Sequence, residues 1–293
     1  AITPRTKAIL ITHLNGLPAD MDKLTALASK YQLRIIEDCA RALGAQFGKQ
    51  KVGSYDIGIF SFGYGKSIYG LDSGIVTTNN VTIRQRLRDS ISSLPTSKRT
   101  DTFKQLIKCF VLKCLSMPTM YAIFILPLLY SVVILKIRTF ESFFRQKIPE
   151  EFVIPKMPAK QMTDTQAYLC LQQMTRLDQN NNQRITNSNA LTGDLTKTKP
   201  NGVALVLPKH CSDRHDIFIH YAIWHTQSEN IQKLLLKEKI DAQSESARDL
   251  TQIPLFARWV DGTYHNASRL DGNLLFLPTC PKLSKAAMAR IVH

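Results

Sequence analysis

Through the first hundred residues, short apolar runs alternate with helix-periodic or polar stretches. Residues 7–14, KAILITHL, form one such run and end at Asn15-Gly16 and Pro18, which predicts a strand and a turn. Asp20 stands where an N-cap belongs, and Leu24, Leu27 and Ala28 follow at helical spacing, so a helix is expected to about Tyr31. Leu33–Ile36 predicts a second strand ending at the acidic pair Glu37-Asp38, and Asp56–Phe62 and Gly74–Thr78 predict two more. A polar helix is expected from Val81 to Ser92. Strands and helices alternating over short connections predict an α/β layer structure with a largely parallel sheet.

The pattern changes after residue 100. Residues 106–135 are strongly apolar, and 120–135, MYAIFILPLLYSVVIL, carry no charge. That run is short for a spanning helix, and Pro127 interrupts it. Lys104, Lys108 and Lys113 precede it; Lys136, Arg138 and Arg145 follow. A helical hairpin buried against a neighbouring subunit or domain, a segment lying in a membrane interface, and a transmembrane helix all fit this pattern. Beyond Pro155 and Pro158 one helix is expected over Thr163–Asn187. Strands follow at Val203–Leu207 and Ile217–Trp224, a helix at Ser228–Lys239, then a strand at Leu274–Pro278 and a helix at Ser284–Val292. The chain thus divides into an α/β part over 1–100, a hydrophobic, cation-flanked insertion over 101–150, and a smaller α+β domain over 151–293.

Composition narrows the setting more than the chemistry. The 293 residues are 44% hydrophobic and 21% charged, a globular balance. The formal net charge of +15 suits an anionic partner, yet the lysines and arginines are scattered and form no nucleic-acid-binding signature. No nucleic acid is therefore expected. Six cysteines without a C-x-x-C pair, and no secretory signal at the start, point to free thiols in the cytoplasm. His210, His215, His220 and His225 recur every five residues, a spacing that gathers them on no single face, so no metal site is expected. Tyr221 and Trp224 read as core.

Two residues at strand ends stand out, Asp38 after Leu33–Ile36 and Lys66 in the turn Ser61-Phe62-Gly63-Tyr64-Gly65-Lys66. Alone, a lysine in a glycine-rich turn is ordinarily on the surface, and a strand-end aspartate ordinarily caps a turn. In a parallel α/β sheet, however, the carboxyl ends of strands are where ligands collect.

The order of surrounding features carries further information. Glu-Asp-x-Ala-x-Ala-x-Gly from Glu37 precedes Val-Gly-Ser-x-Asp-Ile-Gly from Val52, then Phe-Ser-Phe-x-x-x-Lys from Phe60, then Gly-Ile-Val-x-Thr-Asn from Gly74. Upstream stands His13-Leu14-Asn15-Gly16-Leu17-Pro18-Ala19-Asp20-Met21-Asp22. This series resembles the DegT/DnrJ/EryC1/StrS family of sugar-nucleotide aminotransferases. The likeness is dense over residues 9–79 and thinner at Met162-Thr163-Asp164, Leu177–Arg184 and Leu277-Pro278.

The resemblance implies a type I (aspartate aminotransferase-like) fold and pyridoxal 5'-phosphate as cofactor. It assigns Lys66 to the Schiff base with the cofactor aldehyde and to the proton transfers that follow. Asp38 falls to the pyridine nitrogen, Ser61 to the phosphate, and Arg41 to the place near the phenolic oxygen where the family has Gln or His. It further implies a nucleotide-linked keto-sugar substrate, an amino-acid donor such as glutamate, and a homodimer. Histidine replaces the lysine in the family's dehydrating relatives, so Lys66 implies transamination. The family's phosphate-binding segment lies upstream of Ala1, and Pro158-Ala159-Lys160-Gln161 stands where a partner's Asn is found. An alternative reading is thus a truncated, non-catalytic aminotransferase-like protein held at a membrane by residues 106–135.

Overall fold

The computed structural model describes residues 2–137, 139, 159–198, 205–243 and 248–292. Arg138, Arg145, Pro155, Pro158 and the first half of the strand expected at Val203–Leu207 lie outside the described residues.

In chain order, β1 is Ala8–Thr12, α1 Met21–Lys30, β2 Arg34–Asp38, β3 Gln46–Phe47, β4 Gln50–Lys51, β5 Ile57–Phe62 and β6 Ser73–Thr78. Helix α2 is Val81–Ser92, α3 Arg99–Leu115, α4 Pro118–Met120 and α5 Leu126–Val133, with a π-helical turn at Tyr121–Ile125 between the last two. Next come α6 Asp164–Met174, α7 Leu177–Thr198, β7 Arg214–His215, β8 Tyr221–Trp224, α8 Ser228–Lys237, α9 His265–Leu270, β9 Leu274–Leu277 and α10 Lys285–Val292.

Four strands form one sheet in the order β1-β2-β5-β6. β1 pairs parallel to β2 and β2 parallel to β5, whereas β5 and β6 run antiparallel, with Ser61 opposite Gly74. The sheet is therefore mixed. The ten residues between β5 and β6 contain no crossover helix, so the chain returns on itself. Helix α1 begins where Asp20 accepts from Lys23 N–H. Its buried line is Met21, Leu24 and Ala28, packed with Ile11, Ile35 and Phe47; Leu27 falls beside that line and stays exposed, unlike the expected stripe.

The expected Thr163–Asn187 helix is two. Thr163 and Gln166 close a reciprocal capping box at the start of α6, and the chain breaks at Thr175-Arg176 before α7. Ile217–His220 is not strand either, because Ile217 N–H is taken by the carbonyl of Gly16 at 2.9 Å, outside any ladder. Those residues still enter the core, with Ile217, Phe218 and Ile219 all buried. Tyr221 is fully buried with its hydroxyl 2.6 Å from Thr192 Oγ1, and Trp224 Nε1–H donates to the carbonyl of Arg269 at 2.9 Å. The antiparallel pair β8-β9 packs with α7 and α10 through Leu191, Ile223, Leu275 and Met288.

Beneath the carboxyl ends of β1 and β2 lies a sealed polar network. Glu37, 0% exposed, accepts from Gly53 N–H at 2.7 Å, from Tyr55 N–H at 2.9 Å and from His13 Nε2 at 3.1 Å. His13 Nδ1 accepts from Ala19 N–H at 3.1 Å, so the ring proton sits on Nε2 and points at the carboxylate. Gly53 holds φ at +81°, and a Cβ there would lie 2.4 Å from the Phe60 ring, so glycine is needed to bring this N–H to Glu37.

Cys39 lies close enough that His13, Glu37 and Cys39 could in principle share a metal ion. The bonding argues otherwise. Both ring nitrogens are engaged with the protein, and burial, helped by Glu37 and Asp38, pushes the Cys39 thiol far above its ordinary range, away from the thiolate a metal requires.

Removing a partner from such a network leaves buried donors unmatched. Glu37→Ala should lower unfolding stability by about 3–5 kcal/mol in urea titrations, whereas the exposed Lys23→Ala should leave the transition nearly unmoved.

Candidate active site

Side-chain alternation along β2 separates the acidic pair. Glu37 turns into the sealed network and Asp38, the last residue of the strand, turns to the opposite face. Asp38 Oδ1 accepts from Ala40 N–H at 3.0 Å, and Cys39 N–H bonds the carbonyl of Ile59 at 2.9 Å. These bonds start the turn that carries Arg41 across the sheet end, while Ala42 and Ala45 anchor it in the core.

The adjacent strand β5 leads into the loop of residues 63–72. Ser61 Oγ accepts from Gly63 N–H at 3.3 Å, Lys66 N–H bonds the carbonyl of Gly63 at 3.3 Å, and Gly70 N–H returns to Phe62 O at 2.8 Å. Ile68 and Leu71 are buried and pin the far side of the loop. Two glutamines of α6 hold its backbone. Gln173 accepts from Tyr69 N–H at 3.1 Å and donates to Tyr69 O at 2.8 Å, and Gln166 donates to Leu71 O at 3.0 Å. Leu71 and Asp72 both have positive φ, 53° and 61°, a strained pair stabilised by this clamp. Nothing in the sequence marked either glutamine, because their partners lie about a hundred residues away.

Lys66, Arg41 and Asp38 share one electrostatic environment. Burial lowers the Lys66 ammonium below its ordinary range, the Arg41 guanidinium lowers it further, and the Asp38 carboxylate opposes both. Two residues missed by the sequence reading join them. His220, just before β8, is lowered to about 4 by burial and then by Arg41, Arg184 and Lys66, so its ring is neutral at physiological pH. The histidine spacing gave no hint of this position. Arg184, on α7, is itself lowered by burial, and among the described residues it has no carboxylate partner.

Asp38 and Arg41 thus act on Lys66, and Arg41, Arg184 and Lys66 act on His220, with the Ser61 hydroxyl on the strand beside that of Asp38. Such an unbalanced, half-buried set suits a ligand that carries both a basic nitrogen and a phosphate. Lys160 adds no further cation, being paired with Asp101 at 2.8 Å.

The sequence profile described as the DegT/DnrJ/EryC1/StrS aminotransferase family matches residues 1–111 and 140–293. A 90-residue stretch, 30% of this chain, is 54% identical to the UDP-N-acetyl-3-dehydro-alpha-D-glucosamine 3-aminotransferase of Acidithiobacillus ferrooxidans, covering 24% of that protein. Over 110 residues, 37% of this chain, it is 38% identical to protein MosB of Rhizobium meliloti, covering 22% of that protein. The alignments thus span less than two thirds of either curated relative. The solved aminotransferase from Psychrobacter cryohalolentis superposes with a TM-score of 0.71 at 21% identity, over 99% of this chain and 68% of that one.

The charge relations fix the direction of two substitutions. Arg41→Gln removes a positive neighbour and should raise the Lys66 pKa, whereas Asp38→Asn removes the negative one and should lower it. Competitive acylation of lysines followed by mass spectrometry over a pH series reads both shifts.

Proposed function

The chain belongs to the DegT/DnrJ/EryC1/StrS aminotransferase family, whose members use pyridoxal phosphate on a type I transferase fold, and from that premise we propose that it transaminates a nucleotide-linked keto-sugar. The observation that carries this reading is the depressed Lys66 amine set beside Arg41 and Asp38 at adjoining strand ends. When bound, the cofactor supplies an aldehyde for an amine and a protonated ring that withdraws electrons from the reacting carbon.

Each residue then has a part that follows from its own chemistry. Lys66 Nζ sheds its proton more readily than an ordinary lysine, so it can act as nucleophile and then carry a proton to and from the substrate carbon. Asp38 keeps its carboxylate at the closed end of β2 and is assigned to hold the proton on the ring nitrogen; Oδ1 is already fixed by Ala40 N–H. Ser61 Oγ is assigned to the phosphate. Arg41 and Arg184 supply positive charge for anionic groups of cofactor or substrate, Arg41 being assigned near the phenolic oxygen. His220, neutral in this setting, can donate or accept a hydrogen bond without adding charge.

The substrate class is supported by the name of the Acidithiobacillus relative, a nucleotide-sugar 3-aminotransferase. An amino acid, glutamate in our reading, donates the amine. We infer a homodimer as the working unit. The outward line of Tyr168, Leu171 and Met174, exposed and apolar on α6, the helix that clamps the Lys66 loop, supports that inference. Six free thiols among the described residues support a reducing, cytoplasmic setting.

Incubation with pyridoxal phosphate followed by borohydride should leave one reduced adduct per chain, mapped by peptide mass to Lys66 and absent from Lys66→Ala. Adducts spread over surface lysines, unchanged in that variant, would defeat the proposal.

A further inference from the structure

Residues 112–139 fall outside the family match. They continue α3 into a second arm, Pro118–Val133, bent by 79° from the first. No residue of α3, α4, the π-helical turn or α5 is buried. Phe103, Phe110, Ile123, Phe124 and Leu135 are each more than half exposed, at 63%, 67%, 56%, 57% and 59%. An apolar surface of this kind on a folded chain marks a contact.

The charge on the two arms identifies the partner. From residue 102 to 137 there is no Asp or Glu, while Lys104, Lys108, Lys113 and Lys136 punctuate the apolar positions. Two copies meeting through this surface would bring like charges together. A layer of anionic headgroups over acyl chains accepts both kinds of side chain, the aromatic and aliphatic groups at the headgroup boundary and Lys104 and Lys113 reaching phosphate. Neither arm is long and apolar enough to cross a bilayer as a single helix. We propose that residues 99–137 form a two-armed platform that lies in the interface of an anionic lipid membrane.

The platform is fastened to the body and adjoins the Lys66 loop. Tyr121 hydroxyl donates to Asp241 Oδ2 at 2.6 Å, Lys136 pairs with Glu229 at 3.4 Å, and Lys108 pairs with Asp72, at the loop's end, at 3.4 Å. Tyr64, in the same loop, lies near enough to act on the Tyr121 hydroxyl. Membrane docking would therefore hold the candidate active site close to the lipid surface.

Co-sedimentation of the full chain with phosphatidylglycerol/phosphatidylcholine vesicles, beside pure phosphatidylcholine vesicles, tests the proposal. Binding should require the anionic lipid and weaken with added salt. The exposed double variant Ile123→Glu/Phe124→Glu should lose binding, and Lys104→Gln/Lys113→Gln should bind roughly tenfold more weakly. Absence of vesicle binding at low salt, equal binding to neutral lipid, or undiminished binding by both variants would overturn it. So would a dimer that dissociates in the Ile123→Glu/Phe124→Glu variant while neither protein binds vesicles, since a second copy would then cover the platform.

Discussion

The carboxylate of Glu37, sealed from solvent, gathers three donors from two separate stretches: the end of β1 through His13, and the approach to β5 through Gly53 and Tyr55. A buried carboxylate is tolerable only when its oxygens are matched, so each of these stretches is held to a narrow geometry. The consequence is transmitted by one residue of strand alternation. With Glu37 fixed inward, Asp38 must emerge on the opposite face, beside the strand whose following loop bears Lys66. His13 N–H also bonds the carbonyl of Asp38 at 3.1 Å, which ties the same point a second time.

The loop of Lys66 is held from the other side by different means. Gln166 and Gln173 bond its backbone, and the buried Ile68 and Leu71 fill the space beneath. The amine thus sits between a sheet end held by the Glu37 network and a helix clamp, while burial, Arg41 and Asp38 set its proton affinity.

Much of this was legible in the sequence, and the limits have physical causes. The strand-and-helix alternation, the Asp20 cap and the Met162-Thr163-Asp164 helix start were readable because they depend on neighbours within a turn or two. The Glu37-Asp38 pair was visible, but the sealed network under Glu37 depends on Gly53 and Tyr55, whose N–H groups no local pattern advertises. The antiparallel return of β6 was missed because apolar runs carry no strand direction. Gln166, Gln173, Arg184 and His220 reach the site across some hundred residues or more of chain, and polar residues of these types on helices or strand ends are usually solvated. Asp38, Arg41, Ser61 and Lys66 stood out only because the spacing of several motifs agreed at once. The apolar stretch over 106–135 was visible as composition, whereas its bent, uncovered form was not.

The account rests on Lys66 being an amine that transfers protons to and from an amino-acid donor. The most direct measurement is a single half-reaction: the chain loaded with pyridoxal phosphate, mixed with glutamate, and assayed for 2-oxoglutarate. The expected result is close to one 2-oxoglutarate released per bound cofactor, with none from Lys66→Ala. Cofactor held firmly by the chain yet unchanged by glutamate, or equal release from Lys66→Ala, would contradict the account.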